Sequence, residues 1–173
     1  MVPNVATFTG GVILGNATAF PAQSFATSPN IYATAGFGSG LSSTLSIFIN
    51  PAFGNVNEVS FPVFNGATQP VSYVVTAYNG ASVVGTQTFT NLPANTASGF
   101  GIVDLIAASI TSVTIAPLTL DASCCQGWDF GIDSVALNQS VRTALSTPEP
   151  ASFGMMGAAL LAIFEVRRRA VRK

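Results

Sequence analysis

Val71-Ser-Tyr-Val-Val-Thr-Ala-Tyr-Asn79-Gly80-Ala-Ser-Val-Val-Gly85-Thr86-Gln-Thr-Phe-Thr90 is the stretch on which the fold turns. Val71, Tyr73, Val75 and Ala77 occupy alternate positions, the period of a strand with one face on a core. Asn79-Gly80 ends the run; both residues tolerate positive φ and suit a tight hairpin turn. A returning strand follows and continues over 86–90 after a second break at Gly85. The alternation recurs outward. Leu45, Ile47 and Ile49 alternate with Ser46, Phe48 and Asn50. Val59, Phe61 and Val63 repeat at period two, and Pro62 among them asks for an edge position or a bulge. Further strands are expected at 100–105 and 110–115, with earlier ones near 6–9 and 31–35. Gly, Pro and Asn punctuate the chain roughly every 8–12 residues, the spacing of sandwiches and barrels. No long segment before 150 has helical periodicity, although 103–109 suits a short turn.

The segment 128–137 sets a problem of phase. Phe130 and Ile132 share one face, whereas strict alternation puts Val135 and Leu137 on the other. A one-residue bulge at Asp133-Ser134 returns all four to the core.

Charge is scarce. Only 8% of the 173 residues are charged, against about a quarter in ordinary soluble domains. Residues 1–138 hold no Lys, Arg or His, and their acids are Glu58, Asp104, Asp121, Asp129 and Asp133. Thr, Ser, Asn and Gln must solvate the surface, as in secreted β-proteins. A lysine-free acidic domain cannot neutralise phosphates, which excludes nucleic acid as a partner. Cys124 and Cys125 are the two cysteines. Outside the cell they can form a strained vicinal disulfide, bridge two chains or stay free.

The C-terminal segment is organised differently. Pro148-Glu149-Pro150 is followed by an uncharged stretch, 151–164, then Glu165, Val166 and a basic cluster of Arg167, Arg168, Arg169, Arg172 and Lys173. As a helix, 151–164 spans about 21 Å against a hydrocarbon core of about 30 Å. Its Phe, Leu and Ile residues favour insertion by about 2 kcal/mol together. Snorkelling arginines extend the span past Val166, and the prolines define its start. No clean polar stripe of period 3.6 supports a soluble amphipathic helix. The expectation is one short transmembrane helix at about 151–166. Its basic tail, 167–173, stays cytoplasmic and residues 1–147 lie on the outer face.

Thr147-Pro148-Glu149-Pro150-Ala151-Ser152, the short apolar helix and the Arg-rich end together resemble a PEP-CTERM sorting signal. The resemblance implies bacterial export, processing by an exosortase-like membrane peptidase, and a setting of exopolysaccharide and biofilm. Glu165, ahead of the arginines, departs from the pattern. Export calls for a leader, and Met1-Val2-Pro3-Asn4 has no basic n-region and no long apolar run behind it. A misassigned start or a removed leader is therefore expected. Phe130-Gly-Ile-Asp-Ser-Val-Ala-Leu137 and the hairpin 76–86 are similar to segments of exported sandwich domains that carry this tail. Those domains look like jelly rolls related to carbohydrate-binding modules.

Chemistry is thinly supplied. Without histidine or a lysine partner, acid–base catalysis falls to carboxylates alone. Asp129 and Asp133 as a glycosidase pair is the enzymatic alternative, and no Gly-x-Ser-x-Gly elbow is present. Calcium is the one cofactor the residues suggest, with Asp121 and Asp133 as donors; otherwise Asp133 caps its own bulge. Trp128, Tyr32, Tyr73 and Tyr78 are candidate sugar platforms. Trp128 either stands exposed beside the polar loop 121–127 or plugs the core.

The sequence thus predicts an all-β chain. An antiparallel, jelly-roll-like β-sandwich of about 8–10 strands occupies 1–138, a linker occupies 139–147, and the sorting and anchor segment occupies 148–173. The expected role is a non-catalytic, exported cell-surface or matrix protein. A carbohydrate-binding module for exopolysaccharide is the first alternative and a glycoside hydrolase the second.

Overall fold

The computed structural model describes residues 5–15, 30–34, 43–94, 99–118 and 130–141. Their strands are β1 (Ala6–Thr9), β2 (Val12–Gly15), β3 (Asn30–Ala33), β4 (Leu45–Ile49), β5 (Glu58–Asn65), β6 (Val71–Asn79), β7 (Ser82–Leu92), β8 (Phe100–Ile106), β9 (Ser112–Pro117), β10 (Phe130–Ile132) and β11 (Ala136–Leu137). A 3₁₀ turn, Pro51–Phe53, follows β4, with the Asn50 side chain accepting from the Ala52 N–H. One compact unit is Met1–Val141; the other, Arg142–Lys173, lies outside the described residues.

All pairings are antiparallel and form two sheets. One runs β1-β4-β9-β6-β7; the other runs β11-β5-β10-β3-β2, with β8 on the opposite edge of β5. From β3 to β10 the chain alternates between sheets except at the β6–β7 hairpin, the winding of paired Greek keys. The expected all-β antiparallel sandwich is what the described residues form.

The facing sides bury the alternate residues anticipated from sequence. Leu45, Ile47 and Ile49, Val71, Tyr73, Val75 and Ala77, with Val113 and Ile115, meet Val59, Phe61, Val63, Val103, Leu105, Phe130 and Ile132. Each buried Val, Leu, Ile or Phe among them contributes about 1.5–3 kcal/mol. At the centre the rings of Tyr73 and Phe130 lie 5.2 Å apart, tilted 56°.

Strand β5 is buried on both faces. Its outer side carries Phe64, clustered with Ile31 and Ala33 against Phe100. Nearby, Ile102, Ala136 and Val141 form a third cluster. The Val141 N–H donates to buried Ser60 Oγ at 2.9 Å, and Ser140 Oγ donates to Asp104 at 3.2 Å. Residues 140–141, expected within a linker, are therefore seated on this sheet.

Pro62 sits mid-strand in β5, paired on both sides. Asn65 N–H bonds Gly99 O on the β8 side, and Glu58 O accepts from Asn138 N–H on the β11 side. Even-numbered residues of β5 therefore bond toward β10 and β11, so the N–H that Pro62 lacks would point there. The ladder is interrupted at that place: β10 pairs with 63–65 and β11 with 59–60. From Ile132↔Val63 to Ala136↔Ser60 the closing strand advances four residues against three, the one-residue bulge. Ser134 takes φ 47°, and Asp133 Oδ1 accepts its N–H at 2.6 Å. Phe130 and Ile132 are buried in the main core, and Val135 and Leu137 pack against it.

Three details differ from the sequence expectation. The hairpin turn centres on Gly80-Ala81, since Asn79 pairs with Ser82 and Gly80 takes φ 58°. Gly85 does not break β7; the irregularity between Ala77 and Tyr78 is absorbed as an extra residue there. Strand β2 was unforeseen, because its Val12 and Ile13 are both solvent-facing and give no alternation.

Asn65, fully buried, joins these parts. Its Nδ2 reaches the carbonyls of Gln69, Leu92 and Pro93 at 2.9–3.0 Å, and its Oδ1 accepts from Ala67 N–H and Tyr73 Oη. Asn65→Ala is expected to cost about 3 kcal/mol in chemical denaturation, because it leaves several buried groups unpaired. Asn65→Asp, though isosteric, should cost more, since it faces a carboxylate with three carbonyl oxygens. Deleting Ser134 removes the bulge and should turn Val135 and Leu137 outward, a loss of about 3 kcal/mol by the same measurement.

Candidate functional site

Between β1 and β2 the chain crosses from one sheet to the other through Gly10-Gly11. Gly10 takes φ 87°, and a Cβ there would stand 2.0 Å from Thr44 O, so the crossing requires glycine. Tyr32 of β3 secures it: its hydroxyl accepts from the Gly11 N–H at 3.0 Å. The Phe8 ring of β1 lies 5.5 Å from that of Tyr32, tilted 60°. The two rings make an aromatic corner at the sandwich edge.

Opposite this corner is the bulge. Together they enclose a cleft of about 340 Å³, walled by Phe8, Ile13, Ile31, Ile132 and Val135, with Asn30, Tyr32, Asp133 and Ser134 as its polar groups. Ile13 is 71% exposed at the rim. The mix suits a small ligand with an apolar face and a few hydroxyl or amine donors.

Asp133 and Tyr32, both singled out from sequence, meet in this cleft. Asp133 caps the bulge through the Ser134 N–H and lines the cleft at the same time. Tyr73 is core, fully buried with its hydroxyl on Asn65. Tyr78 points to the outer face of the other sheet. Phe8 and Ile13 were missed as site residues; the signal available was the apolar pair Val12-Ile13 beside two glycines. Trp128, Asp121, Asp129, Cys124 and Cys125 lie outside the described residues, as do Pro148, Glu149, Pro150, Arg167, Arg168 and Arg169. Among the described residues no group of three or more His, Cys, Asp or Glu could hold a metal. Among them, too, no helix is long and apolar enough to cross a membrane.

Solved structures place the sandwich in known company. The chain resembles the K2 cleaved adhesin domain of Lys-gingipain with TM-score 0.50 at 11% identity, over 79% of this chain and 91% of that one. It also resembles the K1 cleaved adhesin domain of Lys-gingipain from Porphyromonas gingivalis W83, with TM-score 0.43 and 18% identity over 79% and 91%. A third similar structure is TmCBM61 in complex with β-1,4-galactotriose, with TM-score 0.43 and 7% identity over 79% and 88%. The first likeness shows the fold and nothing of the ligand. No curated protein matches the sequence. Residues 146–169, which include Pro148-Glu149-Pro150, the apolar stretch and the first arginines, match the PEP-CTERM protein-sorting motif, and the chain carries that sorting signal.

Proposed function

We propose that this is an exported, non-catalytic protein of the cell surface or extracellular matrix, delivered by its C-terminal signal through an exosortase-like membrane peptidase. The sorting motif over 146–169 carries the reading. In it the apolar segment enters the inner membrane, the basic cluster holds it from the cytoplasmic side, and Pro148-Glu149-Pro150 presents the processing region outside. A body without His or Lys supports a non-catalytic role, because it leaves acid–base chemistry chiefly to a few carboxylates.

The test is co-expression with an exosortase-type peptidase. The full chain should be shortened and leave the inner membrane. A triple variant, Pro148→Ala with Glu149→Ala and Pro150→Ala, should stay full-length and membrane-bound. Equal processing of both would refute the sorting role.

A second reading, glycan binding, is favoured by the cleft, where an aromatic corner faces a carboxylate and an amide. On a glycan array the full chain should bind at least one neutral sugar. Phe8→Ala and Asp133→Asn should each weaken that binding about tenfold. Asp133→Asn keeps an oxygen for the Ser134 N–H, so its stability should hold. No signal from any glycan would end this reading.

A further inference from the structure

The outer face of the β1-β4-β9-β6-β7 sheet has an order that neither the cleft nor the sorting signal explains. The register aligns Thr9, Ser46, Thr114, Thr76 and Thr86 side by side, one from each strand. They form an unbroken row of hydroxyls, at about 4.8 Å per step, across the whole sheet. Among the described residues, none of these side chains is engaged in a hydrogen bond. A second row, Thr7, Phe48, Ser112, Tyr78 and Val83, runs parallel to it, about 7 Å away along the strands. Phe48 is 49% exposed and Val83 60%.

This face has no charged side chain. The described acids, Glu58, Asp104 and Asp133, belong to β5, β8 and the bulge, all in the other sheet. An ordinary solvated strand face mixes Thr with Lys and Glu, which also block unwanted pairing. Here a polyanion would find no cation and a basic partner no acid. What remains complementary is a neutral polymer that offers hydroxyls and carbon-bound hydrogens at a matching repeat.

We propose that this face binds a single, extended, neutral β-1,4-linked polysaccharide chain lying across the strands. One strand spacing is close to the advance of one pyranose residue in such a chain. Phe48 and Tyr78 stand two strands apart, about 10 Å, with Ser112 between them. That interval places them under alternate sugars, which share an orientation in a twofold chain. The rings stack on the pyranose faces, and the hydroxyl row beside them exchanges hydrogen bonds with the sugar hydroxyls. The sheet's twist, about 20–25° per strand, follows a free, twisted chain and not a flat crystal surface. The proposal rests on the exported-matrix reading only for its setting, since the face belongs to the sandwich and the signal to residues 146–169.

The test is depletion of the full chain, in a sugar-free non-ionic detergent, by amorphous β-1,4-glucan, β-1,4-mannan and chitin, with microcrystalline glucan and calcium alginate as contrasts. Retention is expected on at least one amorphous neutral polymer, exceeding that on crystalline glucan and alginate, and insensitive to salt up to about 1 M. Phe48→Ala and Tyr78→Ala should each lower the affinity about tenfold. Thr76→Lys, which sets a charged side chain in the hydroxyl row, should lower it similarly. Ile106→Ala, at an exposed position on β8 of the other sheet, should leave it unchanged. The melting temperature of each variant separates lost binding from lost folding, and wild-type melting with lost retention supports the face. Absence of retention on all neutral polymers, or equal retention of the Phe48 and Tyr78 variants, would overturn the proposal. Either result leaves the processing test at Pro148-Glu149-Pro150 untouched.

Discussion

The sandwich depends on a match of defects between β5 and its neighbour. A proline in a central strand costs a ladder hydrogen bond, and a strand of the form Phe-x-Ile-Asp-Ser-Val-x-Leu has the wrong phase to bury its apolar residues. Each defect removes the other here. The extra residue at the bulge leaves a gap where Pro62 has no donor to offer, and Pro62 asks nothing of the strand where pairing fails. The same bulge aims Asp133 into the cleft while its carboxylate caps Ser134. Core register and cleft chemistry thus share one local irregularity.

Much of this was legible. Alternation located β4, β5, β6 and β9, and the phase conflict between Ile132 and Val135 located the bulge, because period two admits no other repair. What escaped has a physical cause. Pro62 was legible as needing an edge position or a bulge; β5 is central, and the bulge lies in the partner strand, a long-range fact. Strand β2 escaped since Val12 and Ile13 are both solvent-facing, so burial left no pattern in the sequence. The cleft escaped with it, as Phe8, Tyr32 and Asp133 converge only through pairing across more than a hundred residues. Tyr73 and Tyr78, five positions apart, fall on opposite faces of one strand, and the alternation with Val71 and Val75 already put Tyr73 on the core side. The structure adds what the pattern could not, the bond from the Tyr73 hydroxyl to Asn65 across the core.

A chain that gives up charge must satisfy its polar backbone by other means, and amides do so here. Asn65 gathers carbonyls from the β5–β6 turn and the end of β7. Asn138 accepts from the Asn57 N–H and donates to the Asn55 carbonyl, tying the closing strand to the loop before β5. Gln87, in β7, donates to the Ile102 carbonyl and accepts from the Asp104 N–H. Those groups lie on the free edge of β8, so one side chain occupies positions that a pairing strand from another molecule would need. Lysine is one common guard of such edges; an amide does it here without adding charge.

Neutrality then has a consequence for partners. Net charge governs long-range encounter, and a face without charges neither attracts nor repels an ionic polymer. Selectivity on such a face must come from short-range geometry: the spacing of hydroxyls, the separation of two rings and the twist of the sheet. Those quantities are set by β-pairing, which fixes the distance between neighbouring strands far more tightly than loops fix distances between tips. A binding surface built on strand rungs is therefore rigid and periodic, and it selects for a periodic ligand. Positive charge, meanwhile, is concentrated at the end of the sorting motif and just after it, in Arg167, Arg168, Arg169, Arg172 and Lys173. The two ends of the sequence thus divide the available physics. In the proposed sorting, electrostatics serve delivery, while packing and hydrogen bonding serve the sandwich.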